Sequence, residues 1–242
     1  MTKAFLGRLL DEASARFRGS GRFAYHYARG KLSSDCIFRE MLRRGLLPRG
    51  GSFVDFGCGQ GSLFSWLIAA RRLHDDGDWP AGWPAPPAPA ALRGVELMPK
   101  DVERARRAFL DCPAVDVRLG DMCEADLGRV DAITVLDALH YVDFGRQELL
   151  LRRIRRSLVP GGVFLTRVGD AGAGLRFRVC QVLDQAVVLA RGHGLAAQHC
   201  RRLDGWLELL ADLDFAVQAV PMSHGKPFAN VMLVCRPWDA PG

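Results

Sequence analysis

The chain has 242 residues, 49% apolar and 25% charged, an ordinary balance for a globular protein and enough for one α/β domain with a short decoration. Its formal charge of +6 is spread over Arg43-Arg44, Arg71-Arg72, Arg104 to Arg107, Arg152 to Arg156 and Arg201-Arg202. No block of five like charges occurs, which argues against a basic nucleic-acid tail; the arginines read as solvated helix faces or as a surface for an acidic partner or anionic substrate.

Phe5, Leu6, Leu9, Leu10, Ala13 and Phe17 recur at helical spacing, so the chain opens with an amphipathic helix that Arg18-Gly19-Ser20-Gly21 breaks. The aromatic segment Phe23 to Tyr27 follows. A second helix carries Ile37, Phe38, Met41 and Leu42 between Ser34-Asp35 and Gly45. After Gly50-Gly51 strands alternate with helices. Strands are expected at 52–57, 92–97, 115–119, 132–136 and 163–168, the last entered through a Pro160-Gly161-Gly162 turn. Helices are expected over 61–72, after Pro99 (Val102, Ala105, Phe109) and around inward-facing Leu151, Ile154 and Leu158. Residues 74–90 hold Pro80, Gly82, Pro84, Pro86, Pro87 and Pro89 and predict an exposed inserted loop, serving neither sheet nor cofactor. A helical stretch at 175–190 and a helix at Asp204 to Leu210 precede two adjacent strands, 214–220 and 230–235. This order predicts an α/β fold with a doubly wound parallel sheet. The expected divisions are an N-terminal helical cover, 1–50, and an α/β domain, 51–242, with the insertion at 74–90.

The seven cysteines form no C-x-x-C pair and are odd in number, so neither a zinc site nor a disulfide framework is expected, and no metal. The start of the chain meets Arg8, Asp11 and Glu12 too soon for a signal peptide's apolar core. No run approaches the length that crosses a bilayer. A cytoplasmic protein without a membrane span is the expectation.

The most informative stretch is Ser52-Phe53-Val54-Asp55-Phe56-Gly57-Cys58-Gly59-Gln60-Gly61-Ser62. An apolar strand, a glycine turn and a hydrophobic helix in that order make a nucleotide-binding corner, where a ligand can approach the backbone and the helix start offers unpaired N–H groups. The spacing is Gly-x-Gly-x-Gly, with Ser62 where a dinucleotide fingerprint wants its third glycine. Asp55, two places before Gly57, would repel a pyrophosphate but not a cationic ligand. The combination favours S-adenosylmethionine over NAD.

From about residue 50 to residue 236 the chain resembles the class I S-adenosylmethionine-dependent methyltransferases. The resemblance implies their Rossmann-like seven-stranded sheet with a terminal antiparallel strand, and S-adenosylhomocysteine as product. It also implies roles for individual residues. Gly57, Cys58, Gly59, Gln60 and Gly61 would face the methionine part of the cofactor, with Asp55 supporting the loop or receiving the amino group. Glu96, beside Leu97, would accept from both ribose hydroxyls, a task for an acceptor-only carboxylate. Its distance from Gly61 exceeds that of a dinucleotide site, and the insertion accounts for the excess. Gly120, Asp121 and Met122 match the adenine-binding position, and Leu136 and Asp137 would border the sulfonium end.

Catalysis is less marked. Methyl transfer to an activated carbon asks mainly for an in-line nucleophile, and a hydroxyl nucleophile gains from a base. His140, just past the fourth strand, is the first candidate, and a packing or capping histidine is the other reading. Tyr25 and His26, with Tyr27, belong to a cover that in this family often closes over the site; they line a substrate pocket or form a core patch. Tyr141 shares that ambiguity. His193, His199 and His224 have no motif support. Asp137-Ala138-Leu139-His140 stands where nucleobase amino-methylating relatives carry Asn/Asp-Pro-Pro-aromatic, so nucleic acid is not the expected substrate. No cysteine pair supports cytosine methylation, and no aspartate cluster supports a metal-dependent catechol mechanism. A small-molecule acceptor remains. Residues 23–32 are similar to methyltransferases of aryl polyene pigment pathways, which implies an aryl or polyene/polyketide-type acceptor of secondary metabolism, presented by an acidic acyl carrier protein. A non-catalytic scaffold of the same fold and an NAD(P)-dependent oxidoreductase are the alternatives.

Overall fold

A computed structural model describes residues 3–175, 177–179, 181–182, 197–222 and 230–238. The expected helical stretch at 175–190 falls largely outside the described residues, as do Cys180, His193 and His224. Seven strands hydrogen-bond in the order β3-β2-β1-β4-β5-β7-β6: β1 Ser52–Phe56, β2 Ala91–Glu96, β3 Val115–Leu119, β4 Val130–Leu136, β5 Leu158–Gly169, β6 Phe215–Pro221 and β7 Asn230–Pro237. The chain divides into two compact units, Met1–Thr134 and Val135–Gly242, and the division falls inside β4.

In the first unit β1 pairs in parallel with β2, and β2 with β3. Helices α1 (Lys3–Ala15), α2 (Arg22–Ser34), α3 (Cys36–Arg44), α4 (Ser62–Asp75) and α5 (Pro99–Ala108) surround them. β1 is buried from Phe53 to Phe56, as a strand covered on both faces must be. The N-terminal helices belong to this unit. α1 packs on α2 and α4, Phe17 meets Phe109 edge-on, and the Trp66 indole donates to the Phe38 carbonyl at 2.9 Å. The aromatic segment at 23–27 starts α2. Its buried face is made of Ala24, Ala28 and Leu32, too small and too sparse to show as a hydrophobic period.

The 74–90 segment departs from the exposed loop expected. Trp79 and Trp83 both meet Phe5 of α1 edge-on, Asp78 pairs with Arg8, and Pro86 and Pro87 are buried. The Ala88 and Ala90 amides donate to Arg49 and Gly51 carbonyls at 2.7 and 2.8 Å. Its end thus runs alongside the chain that enters β1. The segment is a strap, held by aromatic packing that prolines pre-shape at low entropic cost.

In the second unit α6 (Phe144–Ser157) precedes β5 and α7 (Leu203–Ala211) precedes β6. Asp143 caps α6 by accepting from the Arg146 amide at 3.0 Å. Leu158, expected as an inward helix residue, opens β5 instead, and the Pro160–Gly162 segment lies within that strand. The last strand in sequence, β7, is antiparallel to both β5 and β6 and lies between them, so the sheet closes as expected. Among the described residues no helix is long and apolar enough to cross a membrane.

Candidate active site

At the C-terminal end of β1 the chain makes the turn Gly57–Gly61 and enters α4. Gly57, Gly59 and Gly61 have φ of 68°, 57° and 84°, left-handed values that a side chain strains. The alternate spacing is therefore a backbone requirement. A Cβ on Gly61 would also come within 2.6 Å of the Phe109 ring. The Gly57 amide donates to the Val95 carbonyl at 2.8 Å, which ties the turn to β2. Glu96 ends β2 at 7% exposure. Its Oε2 accepts from the Gly59 amide at 2.8 Å and its Oε1 from the Met98 amide at 2.9 Å. Each oxygen keeps a further acceptor site. Glu96 thus fixes the turn as well as offering acceptors, a first task that sequence reasoning missed.

Asp55 is buried and accepts from the Thr134 hydroxyl at 2.6 Å. Burial raises its pKa to about 7, against the Thr134 hydrogen bond and the charge of Lys31, which both pull it down. The contact to Thr134 is a supporting one. Cys58 is buried beside them, and burial foremost pushes its thiol up, with Asp55 and Glu96 adding to the effect. It is an inert filler against Gly94. The Gly120 amide donates to the Glu96 carbonyl at 3.0 Å, so the end of β3 is joined to the end of β2. The Asp121 Oδ1 accepts from the Cys123 amide at 2.8 Å and closes a side-chain turn. Met122 is half-buried and Leu97 exposed.

Gln60 is buried, and its Nε2 donates to the Ala24 carbonyl of α2 at 2.8 Å. The glycine turn and the cover helix are thereby joined. Its Oε1 has no hydrogen-bond partner, so the bond to α2 is made at a local cost. Tyr25 is half-buried, with Arg18 5.6 Å from its ring centroid and His26 5.1 Å away edge-on. His26 is exposed. Two residues past Ala24, it sits on the far side of the helix from the turn, so the structure does not bring it to Gly57–Gly61.

In the second unit Leu136 ends β4 and Asp137 follows with φ of 58°, a strained value for a residue with a side chain. Its carboxylate is paired with Arg167 of β5, which is only 8% exposed. The short turn Leu139–Tyr141 carries His140, half-buried, with its ring 4.2 Å from that of Tyr141. Gln147, 0% exposed in α6, holds this turn. Its Nε2 donates to the carbonyls of Leu139 (3.2 Å), Val142 (2.9 Å) and His199 (2.9 Å), and its Oε1 accepts from Arg201 Nε at 3.1 Å. The His199 amide donates to the His140 carbonyl at 2.7 Å. Sequence reasoning missed Arg167 and Gln147. Each was findable as a lone polar residue at a core position, Gln147 in register with Leu150, Leu151 and Ile154, and Arg167 between Thr166 and Val168 of a buried strand.

Residues 54–164 match the family model described as a methyltransferase domain. The segment is thus similar to a methyltransferase domain, and the sheet has the Rossmann-like strand order of the class I S-adenosylmethionine-dependent fold. No curated protein matches the sequence, but solved structures resemble the chain. A chain of the Haloferax volcanii complex containing the Trm112 methyltransferase activator is 16% identical, covers 93% of this chain and 98% of its own length, and superposes with a TM-score of 0.62. The magnesium protoporphyrin IX methyltransferase of Synechocystis PCC 6803, solved with S-adenosylhomocysteine, is 14% identical over 97% and 100% of the two chains, TM-score 0.58. NcsB1, an O-methyltransferase of neocarzinostatin biosynthesis solved with S-adenosylmethionine and a naphthoic acid, is 21% identical, TM-score 0.58. The match covers 89% of this chain but 56% of NcsB1. At these identities the likeness establishes the fold of the chain and no more. Its residues nonetheless fit the cofactor. The glycine turn leaves its backbone approachable, and Glu96 keeps acceptor capacity for a diol. Among the described residues no cluster of three metal-ligating side chains occurs.

Proposed function

We propose that the protein transfers a methyl group from S-adenosylmethionine to a small-molecule acceptor of aryl or polyketide type. The observation that carries the cofactor half is Glu96, a buried carboxylate at the end of β2 clamped by two amides yet able to accept two more donors. In open α/β sheets ligands bind beyond the carboxyl ends of the strands. In the first unit those ends carry Gly57–Gly61 on β1, Glu96 on β2 and Asp121 after β3; in the second, Asp137 and His140 follow β4. Among similar structures, NcsB1 holds a naphthoic acid and another is the pyocyanin biosynthetic protein PhzM, which supports the acceptor class.

The cofactor supplies a methyl carbon already activated by a sulfonium. The chain orients the acceptor and receives its proton. Glu96 orients the ribose, and the glycine turn gives its backbone to the methionine part. The neutral imidazole of His140 takes the proton of an acceptor hydroxyl onto a ring nitrogen. S-adenosylmethionine held by these residues would supply the methyl group that replaces that proton on the acceptor oxygen, and would keep the former bonding pair on its sulfur. Gln147 keeps the His140 turn in one geometry, which positioned proton transfer requires.

Radiolabelled S-adenosylmethionine incubated with the protein and a panel of aryl and polyene acids, free and as carrier-protein thioesters, tests the reading. Label is expected in a free small-molecule product. Label found solely in nucleic acid or protein would overturn the acceptor class, and no binding of S-adenosylhomocysteine by calorimetry would overturn the cofactor half.

A further inference from the structure

Lys31 stands in α2 at the i+7 position from Ala24, with Ala28 between them at i+4, so the three share one helix face. That face is fixed to the glycine turn. Gln60 binds the Ala24 carbonyl at 2.8 Å, and Ala24 and Ala28, both fully buried, keep the helix close because they have little side chain. Lys31 itself is half-buried. Its Nζ lies 5.9 Å from the centroid of the buried Phe38 ring, a contact that steadies an ammonium partly withdrawn from water.

The charges nearby are of both signs. Asp55 feels Lys31, which lowers its pKa, and Glu96, which raises it, though burial outweighs both. Two buried carboxyl groups and one lysine therefore act on the same neighbourhood, in which Gly59 is already bound to Glu96. A free α-amino acid group carries an ammonium and a carboxylate together. Acidic residues can receive its ammonium but repel its carboxylate, so a site that takes both ends needs a cation.

We propose that Lys31 binds the carboxylate of the cofactor's methionine part, so that the cover helix, and not the sheet, supplies the cation of the cofactor site. The inference rests on the S-adenosylmethionine reading above. It gives α2 a function beyond covering the turn: the helix recognises the amino-acid end, while Glu96 recognises the ribose.

The test compares two ligands that differ in the amino-acid part. Calorimetry would measure S-adenosylhomocysteine and 5′-methylthioadenosine, which keeps the nucleoside and lacks the carboxylate, against the parent, Lys31→Gln and Lys31→Arg. Lys31→Gln is expected to weaken S-adenosylhomocysteine by roughly 10–100-fold, the range of one charge-assisted hydrogen bond. Its affinity for 5′-methylthioadenosine should stay at the parent level, which also shows that the variant is folded. Lys31→Arg should retain most of the S-adenosylhomocysteine affinity. Unchanged S-adenosylhomocysteine binding by Lys31→Gln would overturn the inference while leaving the cofactor reading intact. Equal loss of both ligands would make Lys31 a structural residue and overturn it too. A parent protein that binds neither ligand would overturn the cofactor reading and the inference together. Should Lys31→Gln not fold, Lys31→Met replaces it, with the same outcomes.

Discussion

The glycine turn and the His140 turn are both irregular segments at a strand end, yet they are held by opposite means. At Gly57–Gly61 the backbone donates, and one side chain accepts: Glu96 takes the Gly59 amide, and Val95 takes that of Gly57. At Leu139–Val142 the backbone accepts, and one side chain donates: Gln147 spans the carbonyls of Leu139, Val142 and His199. A carboxylate that collects amides leaves oxygen lone pairs for a ligand diol. An amide whose NH2 group collects three carbonyls has no N–H donor left over, and so serves to fix the turn. The first region can bind as well as support, whereas in the second the supporting and chemical groups are different residues, Gln147 and His140.

The largest effect should come from separating those two roles. His140→Ala is expected to lower kcat by roughly 10²–10⁴-fold if it takes the acceptor's proton, with S-adenosylhomocysteine affinity unchanged. Single-turnover rates on whichever acceptor the labelling experiment identifies, paired with calorimetry, would check it. Full turnover in the variant would return His140 to a packing role. In the glycine turn no such separation is possible. Glu96→Ala should both weaken S-adenosylhomocysteine and lower stability, by about 2–4 kcal/mol in total, because the Gly59 and Met98 amides lose their acceptor. Glu96→Gln, which keeps an acceptor oxygen, should recover part of both. If Glu96→Ala changed neither affinity nor melting temperature, the contrast between the two regions would fail.

That contrast also explains what the sequence made legible. Positive φ at alternate positions can be met at low cost only by glycine, so the turn is written in residue spacing and its strand and helix follow at once. The same holds for β1 to β5, whose apolar runs sit within a few residues of the expected places. The network around Gln147 leaves only a polar residue at a helix core position, and the Asp137–Arg167 pair joins two strands that are distant in sequence. The cover helix α2 was hidden for a further reason, since its buried face is mostly alanine and it follows two glycines. The strap at 74–90 was misjudged because prolines and glycines mark the absence of regular structure, not the absence of packing.

The strap therefore offers a third, smaller effect, on stability apart from either turn. Replacing 79–87 with a short Gly-Ser linker removes the Trp79 and Trp83 contacts to Phe5. With both tryptophans half-buried, the expected loss is about 2 kcal/mol. A thermal melt should show the drop while S-adenosylhomocysteine affinity stays. Retained stability would restore the exposed-loop expectation, and lost affinity would tie the strap to the cofactor site.

The smallest effect concerns pH and asks whether the glycine turn rests on a protonated carboxyl. Burial raises the Asp55 pKa from 3.8 to about 7 in the folded protein, so between these values the folded state binds more protons than the unfolded one. Its contribution to stability is then fully present below about pH 4 and is lost as pH rises through 7. Glu40 titrates with the opposite sign and in a separate window. Burial would raise it, but hydrogen bonds from Arg43 and Arg44 bring it down to about 2, so its contribution is lost only in acid. Between pH 5 and 8 the apo protein should thus lose on the order of 1–2 kcal/mol through Asp55. Asp55→Asn keeps an oxygen for the Thr134 hydroxyl and has no proton to lose. Denaturant melts of the parent and variant across that range should show a slope in the first and a flatter line in the second. The same slope in both would mean that Asp55 is ionised in the folded protein, held by Lys31 and Thr134 against burial, and that the turn rests on a charge after all.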